Sequence, residues 1–236
     1  MLSKKKETVL SQRLQEVASF VPKGARLLDI GSDHAYLPIY LLREEKISFA
    51  LAGEIAKGPY ESALSNIAAS ELQDKIEVRL ADGLAAFSEK DNIDLISICG
   101  MGGRLIVAIL KADPVKLATV KQLILQPNNG EDELRFWLMA NGFAIAAERI
   151  VADKGKYYEI IVAKNGHMSL SDKELRFGPF LKQELSPVFK ERWQKELAKL
   201  ESALTKIPQE NTEEKLILQQ KIDQIKEVLY ESQPNH

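Results

Sequence analysis

The apolar positions of this chain alternate between two periods. Short apolar runs with the look of buried strands are each followed by stretches in which apolar residues recur at helical spacing. Val9, Leu10, Leu14, Val17 and Phe20 predict an amphipathic lead-in helix over Thr8 to Phe20, stopped by Pro22-Lys23-Gly24. Arg26 to Ile30 then predicts a first strand, Tyr36 to Arg43 a crossover helix, and Phe49 to Ile55 a second strand. Gly58 to Ser70 reads as a helix, with Pro59 near the first turn, where a missing N–H does no harm. Ile76 to Leu80, Ile93 to Cys99 and Gln122 to Leu125 predict strands three to five, with helices over Leu105 to Lys111 and Glu131 to Ala140. The last two apolar runs, Phe143 to Val151 and Tyr157 to Ala163, are joined by too short a link for a crossover helix, so they must pair antiparallel. Five parallel strands with crossovers and a closing hairpin make an α/β domain.

After Lys164-Asn165-Gly166 the strand period disappears. Trp193, Leu197, Leu200, Leu204 and Ile207 step by four and three, and Leu218, Ile222, Ile225 and Leu229 do the same. Pro179, Pro187 and Pro208 break the helical stretch. The expectation is an antiparallel helical hairpin or coiled-coil-like unit over residues 166–236, appended to an α/β domain over residues 1–165.

Composition narrows the function classes. The 236 residues carry a formal net charge of -2, so no global basic field announces a nucleic-acid partner, although local basic patches remain compatible with it. A single cysteine, Cys99, cannot build a disulfide framework and fits a reducing cytoplasm. No signal-peptide core follows the basic start, and no apolar run is long enough to cross a bilayer. A cytoplasmic protein with no membrane partner is expected, and a monomer. Neither Cys99 nor the three histidines show metal-ligand spacing, so no metal is expected.

The candidate chemistry sits at the strand ends. Asp29-Ile30-Gly31-Ser32-Asp33-His34 follows the first strand and crowds three polar side chains into a glycine turn at a helix start. Asp29-Ile30-Gly31 resembles the first motif of S-adenosylmethionine (SAM)-dependent methyltransferases. The glycine admits close backbone approach, and the carboxylate can balance a cationic cofactor or its ammonium. An ordinary strand-to-helix turn is the plainer reading. Glu54, about 20 residues on, is placed to bind two ribose hydroxyls, as it also would be in an NAD enzyme. Asp33 stands where a dinucleotide fingerprint has its second glycine, and a carboxylate there opposes a pyrophosphate. Asp82, in Ala81-Asp82-Gly83, could meet an adenine amino group or simply sit in a turn. Gly100-Met101-Gly102-Gly103 would let a planar substrate approach, or merely end a strand. Gln126-Pro127-Asn128 offers amide groups to a heterocycle edge, while Asn128 and Asn129 could equally cap the next helix. His34 is either a proton acceptor or structural. Tyr157 and Tyr158 could stack on a base or pack in the core, and the stripe around Trp193 reads as packing.

Taken in order, Asp29-Ile30-Gly31-Ser32-Asp33-His34-Ala35-Tyr36-Leu37-Pro38, Gly53-Glu54, Ala81-Asp82-Gly83-Leu84, Gly100-Met101-Gly102-Gly103 and Gln126-Pro127-Asn128 resemble the bacterial TrmK family. These are SAM-dependent tRNA (adenine-22 N1) methyltransferases with a C-terminal helical domain. The resemblance implies a Rossmann-like class I methyltransferase sheet with SAM as cofactor and tRNA as partner. It implies cofactor contacts at Asp29, Gly31, Glu54, Ile55, Asp82, Gly83 and Gly100, and a transfer site at Asp33 and Asn128, with His34 beside them. Gly102 and Gly103 would face the target base, and Lys5, Arg13 and Arg104 would meet tRNA phosphates. The implied chemistry is in-line attack of adenine N1 on the sulfonium methyl, with the helical unit cradling tRNA by shape. Methylation of another RNA position or of a small molecule is the alternative. A catalytically inert RNA-binding scaffold is a third reading and an NAD dehydrogenase the last.

Overall fold

A computed structural model describes residues 9–231. Strands β1 (Ala25–Ile30), β2 (Ile47–Glu54), β3 (Ile76–Leu80), β4 (Leu95–Met101), β5 (Gln122–Pro127), β6 (Phe143–Asp153) and β7 (Lys156–Asn165) form one seven-stranded sheet in the order β3-β2-β1-β4-β5-β7-β6. β1 to β5 pair in parallel, whereas β7 is antiparallel to both β5 and β6. The hairpin expected from the short link is therefore present, with β7 folded back into the gap between β5 and β6. The central strands are covered on both faces, so Leu27, Leu28, Leu95, Ile96, Leu123, Ile124 and Leu125 are all buried. That is why these runs read as continuously apolar rather than alternating.

The crossovers are α2 (Tyr36–Arg43), α3 (Lys57–Ala69), α4 (Gly103–Ala112) with the short α5 (Pro114–Leu117), and α6 (Glu131–Ala140). The lead-in helix α1 (Gln12–Ser19) begins later than its apolar pattern suggests, because the Ser11 hydroxyl accepts the Leu14 N–H and caps it. One core, built on Leu28, Ile96, Ile98, Leu125 and α4 and α6, fills one face of the sheet. A second, built on Leu27, Ala50, Leu95, Ile124 and α1, α2 and α3, fills the other.

Several strand boundaries differ from the sequence reading by a few residues, and two of the differences bear on the site. β2 ends at Glu54, which leaves Ile55 beyond the strand and 72% exposed. β4 is displaced toward the C-terminus because the register shifts between Cys99 and Met101, a bulge that Gly100 makes possible at φ 77°.

The C-terminal segment is helical, with α7 (Asp172–Phe177), α8 (Pro179–Glu184), α9 (Pro187–Leu204) and α10 (Thr212–Lys226), then a π-helical turn over Glu227–Glu231. Pro179 and Pro187 open helices, at the position where proline fits. Phe177, Phe189, Trp193, Leu197, Ile222 and Ile225 form a third cluster, which takes in Ile150 of β6 and packs against Tyr157 of β7. A buried charge cluster strengthens that join. Arg135 of α6 donates to Glu148 of β6 at 2.7 Å, to Glu159 of β7, and to the Leu175 carbonyl at 3.0 Å. Arg192 of α9 pairs with Glu159 and with Glu131, the latter at 3.1 Å. The Phe180 N–H of α8 completes the set on Glu148 at 2.9 Å.

Candidate active site

Parallel strands bring the C-terminal ends of β1, β2, β3, β4 and β5 to one edge of the sheet, and each carries one of the motifs. Asp29, 3% exposed near the end of β1, accepts the Ser32 hydroxyl and the Ser97 hydroxyl, each at 2.6 Å. Burial pushes its carboxyl up to about 6, against the lowering pull of both hydroxyls and of Arg13. Ser97 lies in the middle of an apolar strand, a signal in the sequence that goes unread when only turn residues are weighed.

Gly31 turns at φ 67° and donates its N–H to the Gly53 carbonyl at 2.9 Å. A Cβ there would stand 2.3 Å from the Met101 methyl, so the turn is closed by contact with β4. Asp33, His34 and Ala35 follow, all left-handed at φ 41°, 72° and 58°. The Asp33 N–H donates to Glu54 Oε1 at 2.6 Å, which locks the second-strand acid to the first-strand turn. Burial pushes Glu54 above its ordinary value. The Asp33 side chain itself is 80% exposed, 3.3 Å from His34 Nε2. His34 lies against the Tyr36 ring, and its carbonyl accepts from Asn66.

A cavity of about 290 Å³ opens at this corner, lined among others by Asp29, Gly31, Asp33, Cys99, Gly100 and Arg13. Burial and the neighbouring Asp29 push the Cys99 thiol well up, which keeps it neutral. Asp82 stands exposed at the end of β3, and a Cβ on the next residue, Gly83, would meet Ile109 at 3.0 Å.

The glycines after β4 have a different job from the one their number suggests. A Cβ on Gly103 would lie 2.2 Å from the Gly130 carbonyl oxygen, and one on Gly102 3.0 Å from Asn129 Oδ1. They let two backbone turns, after β4 and after β5, close on each other; the Gly103 N–H donates to the Asn129 carbonyl at 2.8 Å. Gly103 is buried there and presents no face to a base. Asn128 belongs to the same junction, donating from its side chain to the Gly100 carbonyl and from its backbone to the Met101 carbonyl, each at 2.7 Å. Neither asparagine caps α6, whose N-cap is Gly130 without a side-chain bond. Gln126, buried in β5, is the hub: its Oε1 accepts the Gly100 N–H at 2.9 Å and Arg13 Nη1.

The combination of buried acids, a glycine turn and no second glycine fits a cationic nucleoside cofactor better than a pyrophosphate. The family model for TrmK, tRNA (adenine(22)-N(1))-methyltransferase, matches residues 27–227. The chain belongs to the TrmK family. The tRNA (adenine(22)-N(1))-methyltransferase of Bacillus subtilis is 42% identical over 94% of this chain and 98% of its own length. A Streptococcus agalactiae protein of the NADB-Rossmann superfamily superposes with a TM-score of 0.91 at 61% identity, covering 94% of this chain and 97% of that one. A Streptococcus pneumoniae protein in complex with S-adenosyl-L-methionine gives a TM-score of 0.89 at 55% identity, covering 94% and 100%.

Within this TrmK fold, two of the residues expected to meet phosphate, Arg104 and Arg13, have partners in the structure. Lys5, with Lys4 and Lys6, lies outside the described residues. Arg104 is held by Glu133 in an exposed fork at 2.6–3.0 Å. Arg13 instead lines the cavity beside Asp29 and Gly31 and bonds Gln126, so it is not an outward phosphate contact. The basic surface that the structure does build was missed by sequence reasoning. A cleft of about 720 Å³ runs from Asn128 along Lys156, Tyr157 and Tyr158 to Arg176, Arg192, Lys195 and Lys199, with Glu196 as its one acidic side chain. Its residues are scattered over β7, α7 and α9, so no charge run announced it. Among the described residues no helix is long and apolar enough to cross a membrane, and no cluster of His, Cys, Asp or Glu could hold a metal.

Proposed function

We propose that this chain methylates N1 of adenine 22 in tRNA with SAM as donor, acting in the cytoplasm as a monomer. The observation that carries the reading is a junction: Asn128 braces Gly100 in the cofactor cavity and also opens the basic, aromatic cleft. Cations interleaved with tyrosines suit phosphates and unstacked bases. A local cleft of this kind lets a chain of net charge -2 hold RNA.

Asp29 and Gly31 are the residues to hold the methionine part of the cofactor, Glu54 the ribose, and Asp82 with Gly83 the adenine. Bound there, SAM supplies an electrophilic sulfonium methyl. Adenine N1 has its lone pair in the neutral base, so the protein needs no strong general base, and alignment carries much of the rate. Asp33, exposed beside the cavity, is placed to orient the amino group of the target or to balance the charge that develops on its ring. N1 lies on the pairing edge, so the nucleotide must be turned out of its stack, and the cleft offers Tyr157 and Tyr158 to its neighbours. The α/β part over residues 1–165 thus carries cofactor and transfer, while residues 166–236 supply Arg176, Lys195 and Lys199 to the RNA, with Arg192 anchoring the cleft wall through Glu131 and Glu159.

Incubation with labelled SAM and unmodified tRNA, followed by nucleoside analysis, tests the reaction; SAM binding without N1-methyladenosine would reject it. Removing residues 166–236 would strip the partners of a buried charge cluster, so charge reversal tests the cleft better. Lys195→Glu/Lys199→Glu should weaken tRNA binding and flatten its salt dependence by about two counterions, with SAM affinity unchanged. Unchanged tRNA affinity would place the RNA elsewhere.

A further inference from the structure

We infer that Tyr158, near the start of β7, is the ring on which the target adenine is stacked for methyl transfer. The inference rests on the tRNA-methylation reading above and moves one of the two cleft tyrosines from the flanking bases to the target itself.

Tyr157 and Tyr158 are consecutive on a strand, so their side chains face opposite sides of the sheet. Tyr157 is occupied. Its hydroxyl accepts Lys195 Nζ at 2.6 Å, the same ammonium lies 5.1 Å from its ring centroid, and it packs on the third cluster. Trp193, the other aromatic side chain of the cleft, is 6% exposed and too buried to receive a base. Tyr158 packs against the second core and carries the Arg13 guanidinium 5.4 Å from its ring centroid, yet it is only partly buried and lines the cleft. Its hydroxyl has no hydrogen-bond partner among the described residues.

Position makes the assignment. β7 runs antiparallel to β5, so its start lies at the edge of the sheet where the parallel strands end. Continued three residues past the pair of Leu125 with Ile161, that register sets Asn128 across from Tyr158. Both side-chain ends of Asn128 are committed, Nδ2 to the Gly100 carbonyl at 2.7 Å and Oδ1 to Gln126 Nε2 at 3.3 Å. Asn128 therefore braces this edge, and Tyr158 is the group beside it left to meet a substrate. Through Arg13, a wall residue of the cofactor cavity, Tyr158 also borders the donor side. A Cβ on Gly100 would meet Arg13 alone, at 3.6 and 3.9 Å, so beyond the guanidinium that backbone is open to a flat ligand. The rival role is purely structural: Tyr158 could serve only to prop Arg13 and fill the second core. The two roles differ in whether the base at position 22 matters.

Binding of tRNA to the full chain separates them, measured with S-adenosylhomocysteine in place of SAM so that no turnover occurs. An intact tRNA and one abasic at position 22 are compared on the wild type, Tyr158→Leu and Tyr158→Phe. Leucine keeps apolar bulk against the second core and removes the stacking face. Tyr158→Leu should weaken the intact tRNA roughly 5- to 150-fold, the worth of one base–aromatic stack, and the abasic one by less than about threefold. Tyr158→Phe, which keeps the ring, should restore most of that loss. SAM affinity by calorimetry should stay within about threefold in both variants, as for an independent site, which also shows that they fold. Equal weakening of the two tRNAs, or a loss confined to SAM, would make Tyr158 a prop and overturn the inference. With the wild type, photocrosslinking of a tRNA carrying an azidoadenine at position 22 should label the β7 segment that holds Tyr158, and labelling only elsewhere would overturn it too. A wild type that binds SAM but makes no N1-methyladenosine would instead refute the tRNA reading itself.

Discussion

Arg135→Met is the substitution whose cost the fold states most clearly. Arg135 is wholly buried, with Glu148 and Glu159 on its two sides and the Leu175 carbonyl on a third. Methionine fills much of the same volume but leaves Glu148 without its cation, while Glu159 keeps Arg192. Breaking a buried pair by removing one partner costs about 3–5 kcal/mol. Against a total stability of about 5–15 kcal/mol, the variant should still fold but unfold at much lower urea. The loss should also depend on pH in a definite direction. Burial already pushes Glu148 above its ordinary value, and losing Arg135 pushes it further. An acid whose folded pKa exceeds its unfolded one adds no penalty below the unfolded value, and its penalty grows as pH rises to the folded one. The destabilisation should therefore be largest at pH 7 to 8 and shrink toward pH 5. Arg135→Met/Glu148→Gln should recover about half of it, because a glutamine oxygen can still accept the Phe180 N–H. Urea unfolding followed by fluorescence suits the question, since Trp137 sits on α6 and Trp193 on α9, either side of the cluster. A loss under about 1 kcal/mol, equal at pH 5 and 8, would refute the account.

Three further outcomes follow from the site. Asp29, raised to about 6, is neutral below that pH and ionised above it, so SAM affinity should rise between pH 5 and 7 and be flat in Asp29→Asn; calorimetry showing a flat wild-type profile would contradict this. The same burial means Asp29 weakens the empty fold as pH rises from about 4 to about 6, the opposite sign from a salt-bridged acid. Gly103→Ala should cost more stability in urea than Gly102→Ala, because its Cβ meets backbone at 2.2 Å whereas the Asn129 side chain can swing away; the reverse order would refute the packing role. Asp33→Asn should leave SAM affinity within several-fold and slow single-turnover methyl transfer strongly, while equal losses would make Asp33 a cofactor ligand; asparagine tolerates the left-handed backbone there.

The sheet was legible because parallel strands covered on both faces must be apolar throughout, and because the five residues between Val151 and Tyr157 leave no room for a crossover. The motif positions were legible for a related reason: parallel strands deliver every strand end to one edge, so residues after apolar runs converge whatever lies between. Contacts between elements far apart in sequence were not legible. Ser97 looks like an ordinary polar interruption until β4 lies beside β1 and its hydroxyl reaches Asp29. The glycines at 102 and 103 look like room for a ligand until the turn after β5 fills that room. Arg13 looks like a surface cation until Asp153, Gln126 and Tyr158, more than a hundred residues away, draw it inward. Charge runs miss the basic cleft for the same reason, since tertiary packing gathers Lys156 of β7, Arg176 of α7 and the α9 residues Arg192 and Lys195.

The left-handed stretch at Asp33, His34 and Ala35 explains why this turn carries such a particular sequence. Left-handed backbone costs roughly 1–2 kcal/mol per residue, least for residues such as Asp and His and most where a Cβ has no local bond to offset it. The surroundings hold all three in place. Glu54 takes the Asp33 N–H, Asn66 donates to the His34 carbonyl, and Ala35 is fully buried under α2 and the second core. Glycines would adopt the same path at less cost but would also leave it freely. The strained path directs the Asp33 backbone toward Glu54 and its side chain out to solvent beside the cavity. One residue is thereby tied to Glu54 through its N–H while its carboxylate stays exposed beside the cavity. Because Glu54 holds that backbone, Glu54→Gln should, under the proposed function, slow single-turnover methyl transfer beyond what its weaker SAM binding in calorimetry accounts for; a loss confined to SAM affinity would refute the coupling.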